Sequence, residues 1–160
     1  MEKFKIYIDR LKNGHVDKFN DTVGPEFLEI NEKELCFPQE LKVSGEAYLA
    51  DDHLVANFSI KTSATLPCSI CNEPVHIPID IQNAYSTVPL EEVRSAIYDL
   101  SNEIREATLL QIPLFAECNN GKCPERDQIK QFLHETSNAK DATGQSPVVH
   151  FPFADLDLNK

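Results

Sequence analysis

The sequence predicts an α+β domain: an antiparallel β-sheet of at least four strands, followed by a main helix and a short C-terminal helix. Three observations predict it. Before residue 85, apolar residues recur at every second position in four segments, the spacing of half-buried strands. After residue 93 the apolar period lengthens to that of an amphipathic helix. Strands therefore come first and helices later, an order that favours an antiparallel sheet over alternating α/β units.

The first strand is read in FKIYID, residues 4 to 9, where Phe4, Ile6 and Ile8 alternate. LKVSGEAYLA and HLVANFSIKTSATL form a hairpin turning at Asp51-Asp52, with Leu54, Ala56, Phe58 and Ile60 on one face. Val75, Ile77, Ile79 and Ile81 mark the next strand. Val93, Ala96, Ile97, Leu100, Ile104 and Ala107 share one helical face, and the helix is clear from Ser101 to Gln111. Periodicity leaves two starts open, one at Leu90 and one capped by Asp99 or Ser101. Pro113 ends the helix. PERDQIKQFLH reads as a short helix with Ile129, Phe132 and Leu133 inward. Residues 1–135 are thus assigned to a single domain, 136–148 to a flexible polar linker and 149–160 to an apolar segment that docks on the body.

With 160 residues, 41% of them hydrophobic and 26% charged, the chain has ordinary globular composition and the length of one domain. No segment has the form of a secretory signal or a lipidation motif, and none approaches the roughly 18–20 apolar residues that span a bilayer. The expectation is a soluble cytoplasmic protein with no membrane partner, whose five cysteines are thiols or metal ligands and not structural disulfides. The net charge of −11 repels a phosphate backbone. Residues 21–60 hold nine acids against Lys33 and Lys42, a net of −7, whereas residues 1–20 carry a net of +2. Such an acidic surface serves solubility or accepts a basic partner.

Cys68 and Cys71 stand in CSIC at a spacing that presents two thiolates to one tetrahedral ion. Cys118 and Cys123, in CNNGKC, supply a second pair, and Asn-Asn-Gly tolerates the left-handed turns of a chelating loop. With 46 residues between the pairs, the spacing leaves two readings open: one structural zinc or four reduced thiols. Cys36 reads as a small buried hydrophobe. A CxxC thiol-disulfide oxidoreductase is the alternative, but such a site wants its first cysteine at a helix N-terminus, and here Pro74 and a strand follow. His76, on the face opposite Val75 and Ile77, reads as a solvent-facing strand residue or a spare ligand. Asp51-Asp52 and Glu91-Glu92 fit turns and caps better than the metal carboxylates of a nuclease. No nucleophile constellation or Gly-rich phosphate loop is present, so no enzyme and no small-molecule substrate is predicted.

CSIC before an alternating strand, then DLSNEIREATLLQIPLFAEC, CNNGKCP and a terminal PFADLDL together resemble the YceD-like family of bacterial and plastid proteins, over roughly residues 40 to 158. The most specific piece is the helix carrying Asp99, Leu100, Glu103, Ile104, Arg105, Glu106, Ala107, Leu109, Leu110 and Pro113, which closes on Cys118. The resemblance implies a non-enzymatic factor that supports accumulation of large-subunit ribosomal RNA, with a large-subunit ribosomal protein or precursor ribosomal RNA as partner. The chain departs from the family pattern at Ile70, where an arginine is usual, at Glu125-Arg126, where many members carry a further cysteine, and at Pro152-Phe153, where Pro-Arg is common. Some members lack the cysteines altogether. The acidic charge favours the protein partner.

Overall fold

A computed structural model of the chain describes residues 3–93 and 95–129, and within them the α+β architecture is present. The first strand is shorter than its alternation implies: β1 (Lys5–Tyr7) gives way to a helical turn, α1 (Ile8–Leu11). The apolar spacing explains the change, because Ile8 and the buried Leu11 stand three residues apart and reach one side only if the chain coils. Lys12 and Asp9 close the same turn with a 2.6 Å ion pair.

β2 (Asp17–Val23) is a strand that the apolar pattern does not signal, because Phe19 and Val23 are its only large apolar residues. It forms one edge of a four-stranded antiparallel sheet with β3 (Leu41–Ala50), β4 (His53–Pro67) and β5 (Pro74–Pro89), in the order β2-β3-β4-β5. The β3-β4 hairpin turns at Asp51-Asp52 as its sequence predicts, with Ala50 opposite His53. β1 is not part of this sheet; it pairs with β6 (Ile97–Asp99) in a separate two-stranded ribbon. Leu41, Val43 and Ala47 of β3 and Leu54, Ala56, Phe58 and Ile60 of β4 form the centre of the apolar core.

α2 (Ser101–Leu110) buries Ile104 against that core, with Leu100 just ahead of it. The helix starts afresh: the Asp99 carboxylate accepts the Ser101 N–H at 3.0 Å, satisfying one of the orphan donors of the first turn. Val93, Ala96 and Ile97 therefore lie outside it. Arg105 ties α2 to the short 3-10 helix Pro25–Leu28, donating Nε–H to the Phe27 carbonyl at 2.7 Å and pairing with Glu29 at 2.7 Å.

β5 carries a bulge. Ile81 stands opposite Ile60 and Ala84 opposite Phe58, so Gln82 and Asn83 share the single partner Ser59. Asn83 takes φ 54°, and the inward positions switch from Ile77, Ile79 and Ile81 to Ala84, Ser86 and Val88.

By its internal contacts the chain divides into Met1–Cys123, which holds both sheets and α2, and Pro124–Lys160. In the second unit, residues 126–129 are helical and Ile129 is exposed, not inward. The rest of that short helix, the 136–148 linker and the 149–160 segment lie outside the described residues. Among the described residues no helix is long and apolar enough to cross a membrane.

Candidate metal centre

Cys68 and Cys71 occupy the loop of the β4-β5 hairpin. Pro67 and Pro74 are the last paired residues of the two strands, and between them the chain reverses through Asn72 at φ 61°. Two backbone bonds close the knuckle, Cys68 N–H to Glu73 O at 2.7 Å and Asn72 N–H to Cys68 O at 2.9 Å. Cys118 and Cys123 bracket a second tight loop. Asn119, Asn120 and Gly121 are all left-handed there, at φ 54°, 53° and 82°, the conformation that Asn and Gly adopt with least strain.

The two loops meet because the segment after α2 runs beside the hairpin loop. Ala116 forms a parallel bridge with Cys68, and its carbonyl accepts both the Ser69 N–H at 2.8 Å and the Ser69 hydroxyl at 2.6 Å. The Glu117 carboxylate accepts the Cys123 N–H at 2.8 Å. As a result the four sulfurs of Cys68, Cys71, Cys118 and Cys123 lie within 4.8 Å of one another, and Cys71 and Cys118 are 3.6 Å apart. Cys68 and Cys123 are buried; Cys71 and Cys118 are half-buried.

The electrostatics favour a thiolate at one corner of the cluster. Burial alone would push Cys68 up, but N–H groups of Cys118, Cys71 and Ile70 and the Cys71 side chain bond to its sulfur and bring it down to about 6. Cys118 shifts the opposite way, raised by burial and by hydrogen bonding with the sulfurs of Cys123, Cys71 and Cys68. The Cys118 N–H to Cys68 Sγ bond, 3.3 Å long, links the two loops directly.

The donor set fits a zinc ion. A tetrahedron with Zn–S bonds of about 2.3 Å has sulfur–sulfur edges of about 3.8 Å, near the 3.6 Å between Cys71 and Cys118 and within the 4.8 Å that bounds the cluster. Four sulfurs fill all four positions, so an ion held there has no place for water or substrate.

The other residues singled out in the sequence do not join the cluster. Cys36 is exposed, contrary to its reading as a buried hydrophobe: it lies beside β4, exchanging backbone bonds with Thr65 at 3.1 and 2.7 Å. His76 stands opposite Thr65 across the β4-β5 pair, with Nδ1 2.9 Å from the Thr65 hydroxyl. Asp51 and Asp52 form the hairpin turn, where Asp51 is left-handed, and Glu92 donates its N–H to Pro89 O. Among the described residues the four cysteines are the only group of three or more His, Cys, Asp or Glu side chains placed to hold a metal.

One feature of the site was missed in the sequence. Leu114 and Phe115, in IPLFAEC, are 94% and 81% exposed beside the clasp. With Leu66, Pro67 and Ser69 they line a groove of about 680 Å³. The signal was present as two large apolar residues between a helix-ending proline and the bridge residue Ala116.

Fold and site define an antiparallel α+β protein whose terminal hairpin is clasped to a downstream loop by a four-cysteine cluster suited to a metal ion. Comparison with family models, with curated proteins and with solved structures finds no match for the chain.

Proposed function

We propose that the chain is a non-enzymatic binding factor of the cytoplasm that supports accumulation of large-subunit ribosomal RNA during ribosome biogenesis, with one structural zinc held by Cys68, Cys71, Cys118 and Cys123. The observation that carries the reading is the convergence of four sulfurs from two distant loops into a saturated cluster. A saturated site fastens segments together and offers no coordination position for chemistry. The ribosomal part rests on the resemblance to the YceD-like family and on charge. A net of −11 suits capture of a basic ribosomal protein better than direct contact with precursor ribosomal RNA. Leu114 and Phe115 add exposed apolar surface of the kind that marks interaction sites.

The 3.6 Å contact between Cys71 and Cys118 favours, as a second reading, a thiol-disulfide oxidoreductase that closes this pair to a disulfide with loss of two electrons and two protons to a substrate disulfide. Against it, β5 and not a helix follows the CxxC, so no helix dipole acts on Cys71, and burial pushes the Cys118 thiol up, away from the reactive thiolate.

The full chain, tagged and expressed in cells, is run on a ribosome gradient, and its zinc content is measured. The expected result is co-sedimentation with large-subunit precursors and about one zinc per chain, lost in both Cys71→Ser and Cys118→Ser. A protein confined to the top of the gradient with no ribosomal protein or RNA attached ends the assembly-factor reading. Metal-free parent protein, or serine variants that keep their zinc, ends the metal reading.

A further inference from the structure

A second site lies between β5 and α2, away from the cysteines. Glu103, Glu106, Ala107 and Leu110 follow one another at i, i+3, i+4 and i+7, the spacing of a single helix face. That face borders the stretch of β5 just past the bulge. Because the bulge shifts the alternation by one residue, the small residues Ala84 and Ser86 take the inward positions there. Small side chains on the strand leave a cavity of about 270 Å³, lined also by Phe58 and Tyr85.

Its polar groups are acidic and incompletely satisfied. One Glu103 oxygen accepts the Tyr98 hydroxyl, while the other, Oε2, is buried and has no hydrogen-bond partner. Burial, together with the Glu103 carboxylate, holds the Tyr98 phenol above its ordinary range, so its hydroxyl remains a donor. Tyr98 has a single proton to give, so Oε2 is left for a donor that the Glu103 carboxylate meets by turning toward the cavity. Glu106, at the exposed edge of the cavity, forms no ion pair among the described residues. Leu110 and Tyr85, 74% and 75% exposed, add apolar and aromatic surface.

We infer that this cavity receives an arginine side chain from a basic partner protein. A guanidinium carries five N–H donors in a planar fork, enough for carboxylates one helical turn apart, and stacks on aromatic rings as an ammonium does not. Its aliphatic stem lies against Ala107 and Leu110. The inference deepens the proposed function and rests on it, since it names the chemistry by which a basic ribosomal protein is recognised.

The test is an amide NMR titration of the full chain with N-acetyl-arginine methylamide, with the lysine analogue and oligo-uridine as controls. The expected result is saturable shifts at Ala84–Ser86 and Glu103–Leu110, weaker with lysine. Glu106→Gln and Tyr85→Ala, both at exposed positions, keep the wild-type spectrum elsewhere and weaken arginine binding by about fivefold. Absent shifts, shifts spread evenly over the acids of residues 21–60, shifts unaffected by Glu106→Gln, or the same amides responding to oligo-uridine and not to arginine overturn the inference. Both variants are then run on the ribosome gradient. If they co-sediment like the parent, the cavity is refuted and the assembly-factor reading stands. If the parent binds arginine but never co-sediments, the reading of the function fails and the cavity stands.

Discussion

Gly45 shows how a single position constrains the sheet. It lies in the middle of β3, with Phe19 of β2 on one side and Phe58 of β4 on the other. A Cβ built there would stand 2.3 Å from the Asn57 carbonyl oxygen, 2.6 Å from Phe19 Cζ and 2.9 Å from Phe58 Cβ. The glycine answers close approach, since the missing side chain lets both phenylalanines lie over the backbone, and Phe19 meets Phe4 edge-on at 6.2 Å. Gly45→Ala is therefore expected to lower stability by about 1–3 kcal/mol, because the Asn57 backbone cannot turn aside as a flexible side chain can. Urea unfolding checks it: the midpoint should fall with the slope unchanged. An alanine variant as stable as the parent would show that β3 and β4 separate at little cost.

At the level of elements, the start of α2 decides what the helix can bury. Asp99 both ends β6 and accepts the Ser101 N–H, so strand and helix share one residue as their boundary. Leu100 occupies the cap position itself and the Asp99–Ser101 bond is an exposed turn bond one residue ahead of it, so Asp99→Ala should cost only about 0.5 kcal/mol, and Asp99→Asn, which keeps the acceptor oxygen, less; thermal unfolding of the two variants makes the comparison. Equal losses in both would assign the effect to charge and not to the bond with Ser101. The same boundary explains what the sequence left unread. Val93, Ala96 and Ile97 continue the 3.6-residue period by coincidence, so periodicity could not separate a long helix from a strand and a fresh start. The β3-β4 hairpin was legible because Leu54, Ala56, Phe58 and Ile60 alternate without a break. β2 was not, because five of its seven residues are polar or charged and its place is set by pairing with β3. Both cysteine pairs and the turn-forming Asn-Asn-Gly were visible as local spacings. Their convergence was not, because it depends on Ala116 bridging to Cys68 across the fold. The bulge at Gln82-Asn83 broke the alternation set up by Val75, Ile77, Ile79 and Ile81, which hid the small-residue floor beside α2.

In the molecule as a whole, the apolar core and the cysteine cluster are separate sources of order. The core runs through β3, β4 and α2 and includes neither Cys68, Cys123 nor Ala116, although all three are buried. In small zinc domains that lack a core, metal binding is folding, and chelation unfolds the chain. Here the sheet has its own buried apolar face, so the clasp should be able to open while the sheet persists, as local opening of lower free energy than global unfolding. If the cluster holds the proposed zinc, treating the full chain with a strong chelator is expected to raise deuterium uptake in residues 66–74 and 112–123. Residues 41–60 and 101–110 should keep their protection. The exposed Leu114 and Phe115 belong to the segment that loosens, so metal loss would also dissolve the groove they line with Leu66 and Pro67. Uptake rising across all four segments together would mean that the metal holds the entire fold and that the core alone is too small. No change anywhere would mean that the backbone bonds of Ser69 and Ala116 fasten the loops without an ion, leaving the four sulfurs as reduced thiols.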